Sequence, residues 1–308
     1  VRSSILAAVL FAALLLALAA CNSSRVVGLQ VDSQLKGFIL PRAIVLAGVN
    51  LDKIKQTDFF KRHQSQLNLP QLDVLPQQLG MDPRRDLSSL LLAWDGNAAF
   101  IMTRGSYAPD PLQKRLSSLT ASEKYNQYTL FGDGQRDIVL LPKGVALLGS
   151  SLQIKKAIND KAAGTGGVPE GMQLQLTRLN SNAQVWEVSD GIISASQLSL
   201  RSDMTSALSN IAGYINASAI GVTFDSGAAL NADISCISEE GSQRVNDALR
   251  GVIGLARLST RDDQLDQLRI WDAIKVEKQG KQVHVSANLS PDLADKLVNL
   301  LPALAKAR

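Results

Sequence analysis

Proton transfer and metal binding lean most on histidine, whose ordinary pKa lies closest to neutrality, and this chain carries only His63 and His284. His63 lies in the polar stretch Lys61-Arg62-His63-Gln64-Ser65 of an expected helix. His284 sits in Gln282-Val283-His284-Val285-Ser286, where strand alternation turns Val283 and Val285 inward and His284 outward. Both read as exposed polar positions, so neither imidazole has a partner for general-base or metal work. There is no His-Glu-x-x-His, no cysteine pair and no carboxylate loop with calcium-site spacing, so no metal and no cofactor is expected. The Gly-x-Ser-x-Gly nucleophile turn and the Gly-x-x-x-x-Gly-Lys-[Ser/Thr] phosphate loop are missing too. Cys236 follows Ala232 and Ile234 on one face of an alternating strand, which reads as a buried thiol.

The other cysteine carries the strongest signal. Arg2 is followed by an uncharged apolar segment, Ile5 to Leu18, which ends in Leu18-Ala19-Ala20-Cys21. A basic start, an apolar stretch and small residues before the cut are the parts of a secretory signal. The segment is shorter than the roughly 20 apolar residues of a membrane-spanning helix. With cysteine directly behind the alanines, the stretch resembles the lipobox of bacterial lipoproteins. The resemblance covers residues 1–21 and implies cleavage before Cys21, its acylation on sulfur and on the new amine, and durable anchoring through several acyl chains. It also implies a cell-envelope location. Asn22, where an aspartate would favour the inner membrane, points to the periplasmic side of the outer membrane. The body is similar to uncharacterised envelope lipoproteins only in general outline, and no site residue is carried over from them.

Four weaker patterns remain. Ser33-Gln34-Leu35-Lys36 satisfies Ser-x-x-Lys, which resembles the nucleophile motif of penicillin-interacting enzymes, but it lies in a segment read as a tether and no Lys-Thr-Gly strand accompanies it. Asp82-Pro83-Arg84-Arg85-Asp86 sets alternating charges behind a proline and reads as Asp86 opening the next element beside two solvated arginines. Trp94 and Trp271, each followed by aspartate, take corresponding strand positions in the two halves and read as core packing. Asn22, Asn216 and Asn288 head glycosylation-type triplets, without consequence in a bacterial lipoprotein.

The chain that must position these residues has 308 of them, 45% hydrophobic and only 5% aromatic, which predicts aliphatic cores. A formal charge of +4 without a run of five like charges gives no basis for a nucleic-acid partner. The pattern predicts a signal peptide over 1–20, a lipidated tether over 21–40, a first α+β unit over 41–163, a Gly-rich linker over 164–178 and a second α+β unit over 179–308. Within the first unit, Ala43 to Val49 reads as a strand and Asn50 as the cap of a helix to about Gln66, with Leu51, Ile54 and the Phe59-Phe60 pair facing inward. Leu87 to Trp94 and Ala98 to Arg104 read as a hairpin across Asp95-Gly96-Asn97. In the second unit Ser196 to Ile215 reads as a long helix, Ala219 to Phe224 pairs with Ala229 to Ile237, and Ile270 to Glu277 pairs with Gln282 to Ala287. A last helix carries Leu293, Leu297, Leu300 and Leu304 as its stripe. The expected fold is α+β: two similar units, each an antiparallel sheet covered on one side by helices.

The resulting expectation is a non-enzymatic, lipid-anchored envelope protein acting as a binding or scaffolding module. The alternative is a carrier enclosing a lipid or other apolar molecule, and less favoured is an enzyme using dispersed carboxylates. The expected partners are the membrane, through the anchor at Cys21, and an envelope protein or lipid. An internal cavity favours the carrier, and an exposed apolar patch favours the scaffold.

Overall fold

The structure is a computed structural model that describes residues 28–64, 79–191 and 210–306. Cys21 with its lipobox, and the helix expected over Ser196 to Ile215 up to residue 209, lie outside the described residues. The first half runs α1 (Ser33–Lys36), β1 (Val45–Asn50), α2 (Leu51–Gln56), α3 (Asp58–His63), α4 (Pro83–Asp86), β2 (Leu87–Trp94) and β3 (Ala99–Gly105). It continues through α5 (Pro109–Leu119), β4 (Ser122–Tyr125), β5 (Tyr128–Gly132), β6 (Asp137–Leu141), β7 (Val145–Gly149) and α6 (Ser151–Ala163). After α7 (Glu170–Arg178) come β8 (Val185–Asp190), β9 (Ile215–Phe224), β10 (Ala228–Cys236), α8 (Glu239–Leu258), α9 (Leu265–Asp272), β11 (Ile274–Gln279), β12 (Gln282–Leu289) and α10 (Pro291–Lys306).

Local chemistry sets many of these boundaries. Asn50 ends β1 and starts α2 at once, its Oδ1 accepting from Lys53 N at 2.9 Å. The single helix expected from Leu51 to Gln66 breaks at Thr57, which is extended and caps α3 by accepting from Phe60 N. Ser150 and Gln153 form a capping box on α6, and Gly164 closes that helix in the left-handed conformation that glycine adopts freely. At the Asp95-Gly96-Asn97 turn, Asp95 Oδ1 accepts from Asn97 N and Ala98 N while Gly96 takes a φ of 96°.

Among the described residues all the strands join one 12-stranded sheet in the order β11-β12-β10-β9-β8-β1-β2-β3-β7-β6-β5-β4. Its pairs are antiparallel, and β1 has β2 on one side and β8 on the other. The fold is thus α+β with a large antiparallel sheet, but the two halves share that sheet where a separate sheet for each was expected. From the β1–β8 seam outward, β1-β2-β3-β7-β6 and β8-β9-β10-β12-β11 follow the same order of connections.

Helices cover both faces of the sheet, not one. Alternation along the strands puts Leu46, Leu91, Phe100, Met102, Leu147 and Val188 on a first face. There they pack with Ile154 and Ala157 of α6 and Met172 and Leu176 of α7 in one core that crosses the seam. On the second face, Phe131, Leu140 and Ala146 pack with Leu112 and Leu116 of α5, while Cys236, Val276 and Val283 pack with Val245 of α8.

Two segments contribute more than expected. Leu29, Leu35, Phe38, Ile39 and Leu40, read as tether, are buried in the first-face core. Residues 164–178, read as linker, include α7 with Met172 fully buried, so the glycines end α6 and do not separate two bodies. The strand expected from Ile270 begins only at Ile274, because residues 265–272 form α9.

Candidate functional site

The second face of the first half holds a cavity of about 530 Å³, within the usual size of small-molecule sites. Its floor is the sheet itself: Leu87 and Leu90 of β2, Ile101 and Thr103 of β3, Ala146 and Leu148 of β7, and Ile138 and Leu140 of β6. Leu51 and Ile54 of α2 and Phe60 of α3 form one wall, and Leu112 of α5 with Leu79, Met81 and Pro83 forms another. The alternation that sends Leu91, Met102 and Leu147 to the first-face core sends their strand neighbours here. The lining is aliphatic for the same reason that the whole chain is.

The charged groups at the cavity are engaged at its edge. Lys55 donates its Nζ to the carbonyls of Arg85 at 3.0 Å and Leu87 at 2.7 Å, tying α2 to the start of β2. Arg84 donates to Asp82, whose carboxylate also caps α4 by accepting from Arg84 N at 3.0 Å. Tyr107, between β3 and α5, lines the cavity, and its buried hydroxyl has no hydrogen-bond partner among the described residues. Burial holds the phenol well above its usual range, so it stays a neutral donor. The arrangement can hold an apolar molecule, and it offers no general base beside a nucleophile.

One carboxylate breaks the apolar pattern of the second face. Register partners across the sheet run Val285, Ala232, Ile220, Glu187, Ala47, Leu92, Ile101, Leu148 and Ile138, with Glu187 the one charged member. Desolvation pushes the Glu187 carboxyl up to about 7, against the pull of the Ser218 hydroxyl, which donates to it at 3.1 Å. Ser218 in turn shares a hydrogen bond of 2.7 Å with Ser189. No cation pairs with Glu187 among the described residues. Its position beside Ala47 and Ile220 follows from register alone, so nothing in the linear sequence marks it.

The residues singled out from sequence scatter. His63 is buried, not exposed: its Nε2 lies 2.7 Å from Asp295 Oδ1 of α10, and its ring packs against Phe59. Arg62 reaches the same Asp295 at 2.9 Å, so α3 and α10 are clasped across the two halves, a contact that sequence spacing cannot reveal. His284 does face away from the core, paired across strands with Asp233. Cys236 is buried as its alternation predicts, and burial raises its thiol pKa. Ser33 and Lys36 are exposed on α1, which buries Leu35. Asp82 is the cap of α4, and Asp86 accepts from Arg85 at 2.6 Å. Trp94 ends β2, whereas Trp271 lies on α9, not on a strand, and donates its indole N–H to Thr260 at 3.0 Å. These groups come to no common site, and of the sequence-marked positions Leu51, Ile54, Phe60, Pro83 and Arg84 reach the cavity.

Among the described residues no group of three or more His, Cys, Asp or Glu is placed to hold a metal ion, and no helix is long and apolar enough to cross a membrane. No family model matches the chain, and no curated protein matches it. Two crystal structures of TP0453 align with it at 11% identity. Crystal form I covers 88% of this chain and 98% of its own with a TM-score of 0.46. Crystal form III covers 88% of this chain and 99% of its own with a TM-score of 0.49. A likeness of this degree does not establish a shared fold.

Proposed function

We propose that the protein is a lipid-anchored envelope carrier that holds an apolar molecule, or the apolar part of a lipid, in the second-face cavity. The supporting observation is the cavity of about 530 Å³ with its largely apolar lining. About ten methylenes moved from water into such a site gain about 8 kcal/mol before the cost of association, enough for useful affinity. The anchor, the envelope location and processing at Cys21 are proposed from the lipobox. We also propose that the halves are two copies of one α+β unit, on the strength of their matching strand order about the β1–β8 seam.

The test is titration of the purified protein with an environment-sensitive apolar dye, N-phenyl-1-naphthylamine, followed by displacement with envelope lipids. Ala146 lies on the floor, and Ala146→Leu fills space there. Saturable binding that drops at least about tenfold in that variant, which still melts cooperatively, is the expected result. Dye binding that is absent, or indifferent to the substitution, overturns the carrier.

Scaffolding is the second reading. Its support is the exposed trio Leu255, Leu258 and Leu265 around the end of α8 and the start of α9. Cross-linking in intact cells that captures a partner through this trio, with lipid binding absent, puts scaffolding first.

A further inference from the structure

On the first face, opposite the apolar cavity, lies a groove of about 660 Å³ between α1, the β4–β5 turn, the turn before β7 and the end of α6. Lys143 and Lys161 both line it, and none of its lining residues is acidic. Three other cations of this half have acidic partners: Lys155 with Glu123 at 2.6 Å, Lys156 with Asp160 at 2.8 Å and Arg104 with Asp32 at 2.6 Å. Lys143 has no ion pair or side-chain hydrogen bond among the described residues. Lys161 donates only to a backbone carbonyl, that of Gln34 at 3.3 Å, and lies 3.7 Å over the Phe38 ring.

The backbone is shaped to present this pair. Among the described residues, Asn126 with a φ of 52° and Lys143 with a φ of 63° are the two non-glycine residues in the left-handed region, and both line the groove. Such conformations persist where surrounding structure imposes them, and they concentrate at functional sites. Gly144, also left-handed at a φ of 67°, fixes the same turn, since a Cβ there would meet the Gly105 carbonyl. The carbonyl end of α6, whose partial negative charge opposes an anion, is closed by Thr165 N and Gly166 N donating to Asp160 O.

We propose that the groove binds a phosphate ester, its two lysines meeting the phosphate and the Tyr128 ring flanking the carbon part. Two ammonium groups without a counter-charge match an anionic phosphate, dianionic in a monoester and monoanionic in the diester of a headgroup. Burial and the charge of Lys143 both lower the Lys161 pKa, a strain that a bound anion relieves. Phosphate esters reach an envelope protein either as soluble small molecules or as phospholipid headgroups.

The experiment uses the full chain with Cys21→Ser, so that no acyl chain contributes. Glycerol 3-phosphate and inorganic phosphate are titrated calorimetrically, and cosedimentation is measured with phosphatidylglycerol and with phosphatidylcholine vesicles. Lys143→Gln and Lys161→Gln are each expected to weaken binding about fivefold and together about 25-fold, while Lys53→Gln changes nothing. Lysine-dependent titration by the soluble phosphates assigns the site to small molecules. Lysine-dependent preference for phosphatidylglycerol without soluble binding assigns it to headgroups. Binding in neither arm, or binding unchanged in the double variant with its melting temperature intact, overturns the proposal.

Discussion

Replacing Glu187 with glutamine removes a charge from the middle of the apolar second face and leaves the side-chain shape and the Ser218 contact. The carboxyl is displaced from 4.5 to about 7, so between those values the folded protein binds more protons than the unfolded chain. Its contribution therefore runs opposite to that of a salt-bridged acid: stability falls as pH rises from about 4.5 and the full cost is present above about 7. The displacement corresponds to about 3 kcal/mol, and partial solvent contact at Glu187 brings this to about 2 kcal/mol. Glu187→Gln should then match the wild type at pH 4 and melt about 4 °C higher at pH 8.5. Thermal melts at half-unit pH steps follow the difference directly. Parallel curves for the two proteins from pH 4 to 8.5 would refute the reasoning, because they would mean that Glu187 is as well solvated in the fold as in the unfolded chain.

Three further substitutions probe other parts of the argument. Gly48 pairs with Trp186 across the β1–β8 seam, and a Cβ there would lie 2.2 Å from the indole, so Gly48→Ala should cost about 2–3 kcal/mol in urea unfolding. Met172→Ala should cost about 2–5 kcal/mol, since Met172 is fully buried, whereas a linker residue would tolerate the change. Burial alone would raise the Asp32 carboxyl, but Arg104, Ser89 and Gln34 N bond to it and hold it below the usual range. Its stabilisation is present at neutral pH and lost as pH falls through that lowered value. Asp32→Asn should therefore cost about 1–2 kcal/mol at pH 7 and progressively less in acid, measured by urea unfolding at the two pH values.

What was legible in the sequence was local. The hairpin at Asp95-Gly96-Asn97 and the cap at Asn50 depend on residues within a few positions, so their chemistry is written in order along the chain. Alternation gave the inward side of β10 and β12 for the same reason. What failed depended on partners far away. Gly164 to Gly171 has a linker's composition, yet Met172 and Leu176 just beyond it find the first-face core, and composition cannot report that. His63 reads as polar surface until Asp295, distant in sequence, arrives beside it. Trp271 sits in a stretch short enough for strand or helix, and in the helix its indole reaches Thr260, beyond the end of α8 and far from it in strand register. The cavity was half legible: Leu51, Ile54 and Phe60 were marked as inward-facing, but inward toward an unfilled space cannot be told from inward toward a core.

The two faces of the sheet divide the work of the molecule. On the first face one core crosses the β1–β8 seam, so Leu46, Trp186 and Val188 pack with the same helices as Leu91 and Phe100. On the second face the described residues form two separate clusters, one under α5 and one under α8. Between and beside them lie the positions that the packing leaves incompletely filled: the cavity along β2, β3, β7 and β6, and Glu187 on β8. A side chain that faces the first side is surrounded by partners that its loss would strand, whereas one that faces the cavity already lacks some of its neighbours. Equal truncations should therefore differ in kind. Leu91→Ala, on the first face, should lower the melting temperature sharply, while Leu90→Ala, its neighbour on the cavity floor, should cost less stability and change ligand binding more. Equal losses of stability at the two adjacent positions, with ligand binding untouched in both, would mean that the cavity side is packed as tightly as the core and that the division between the faces is not functional.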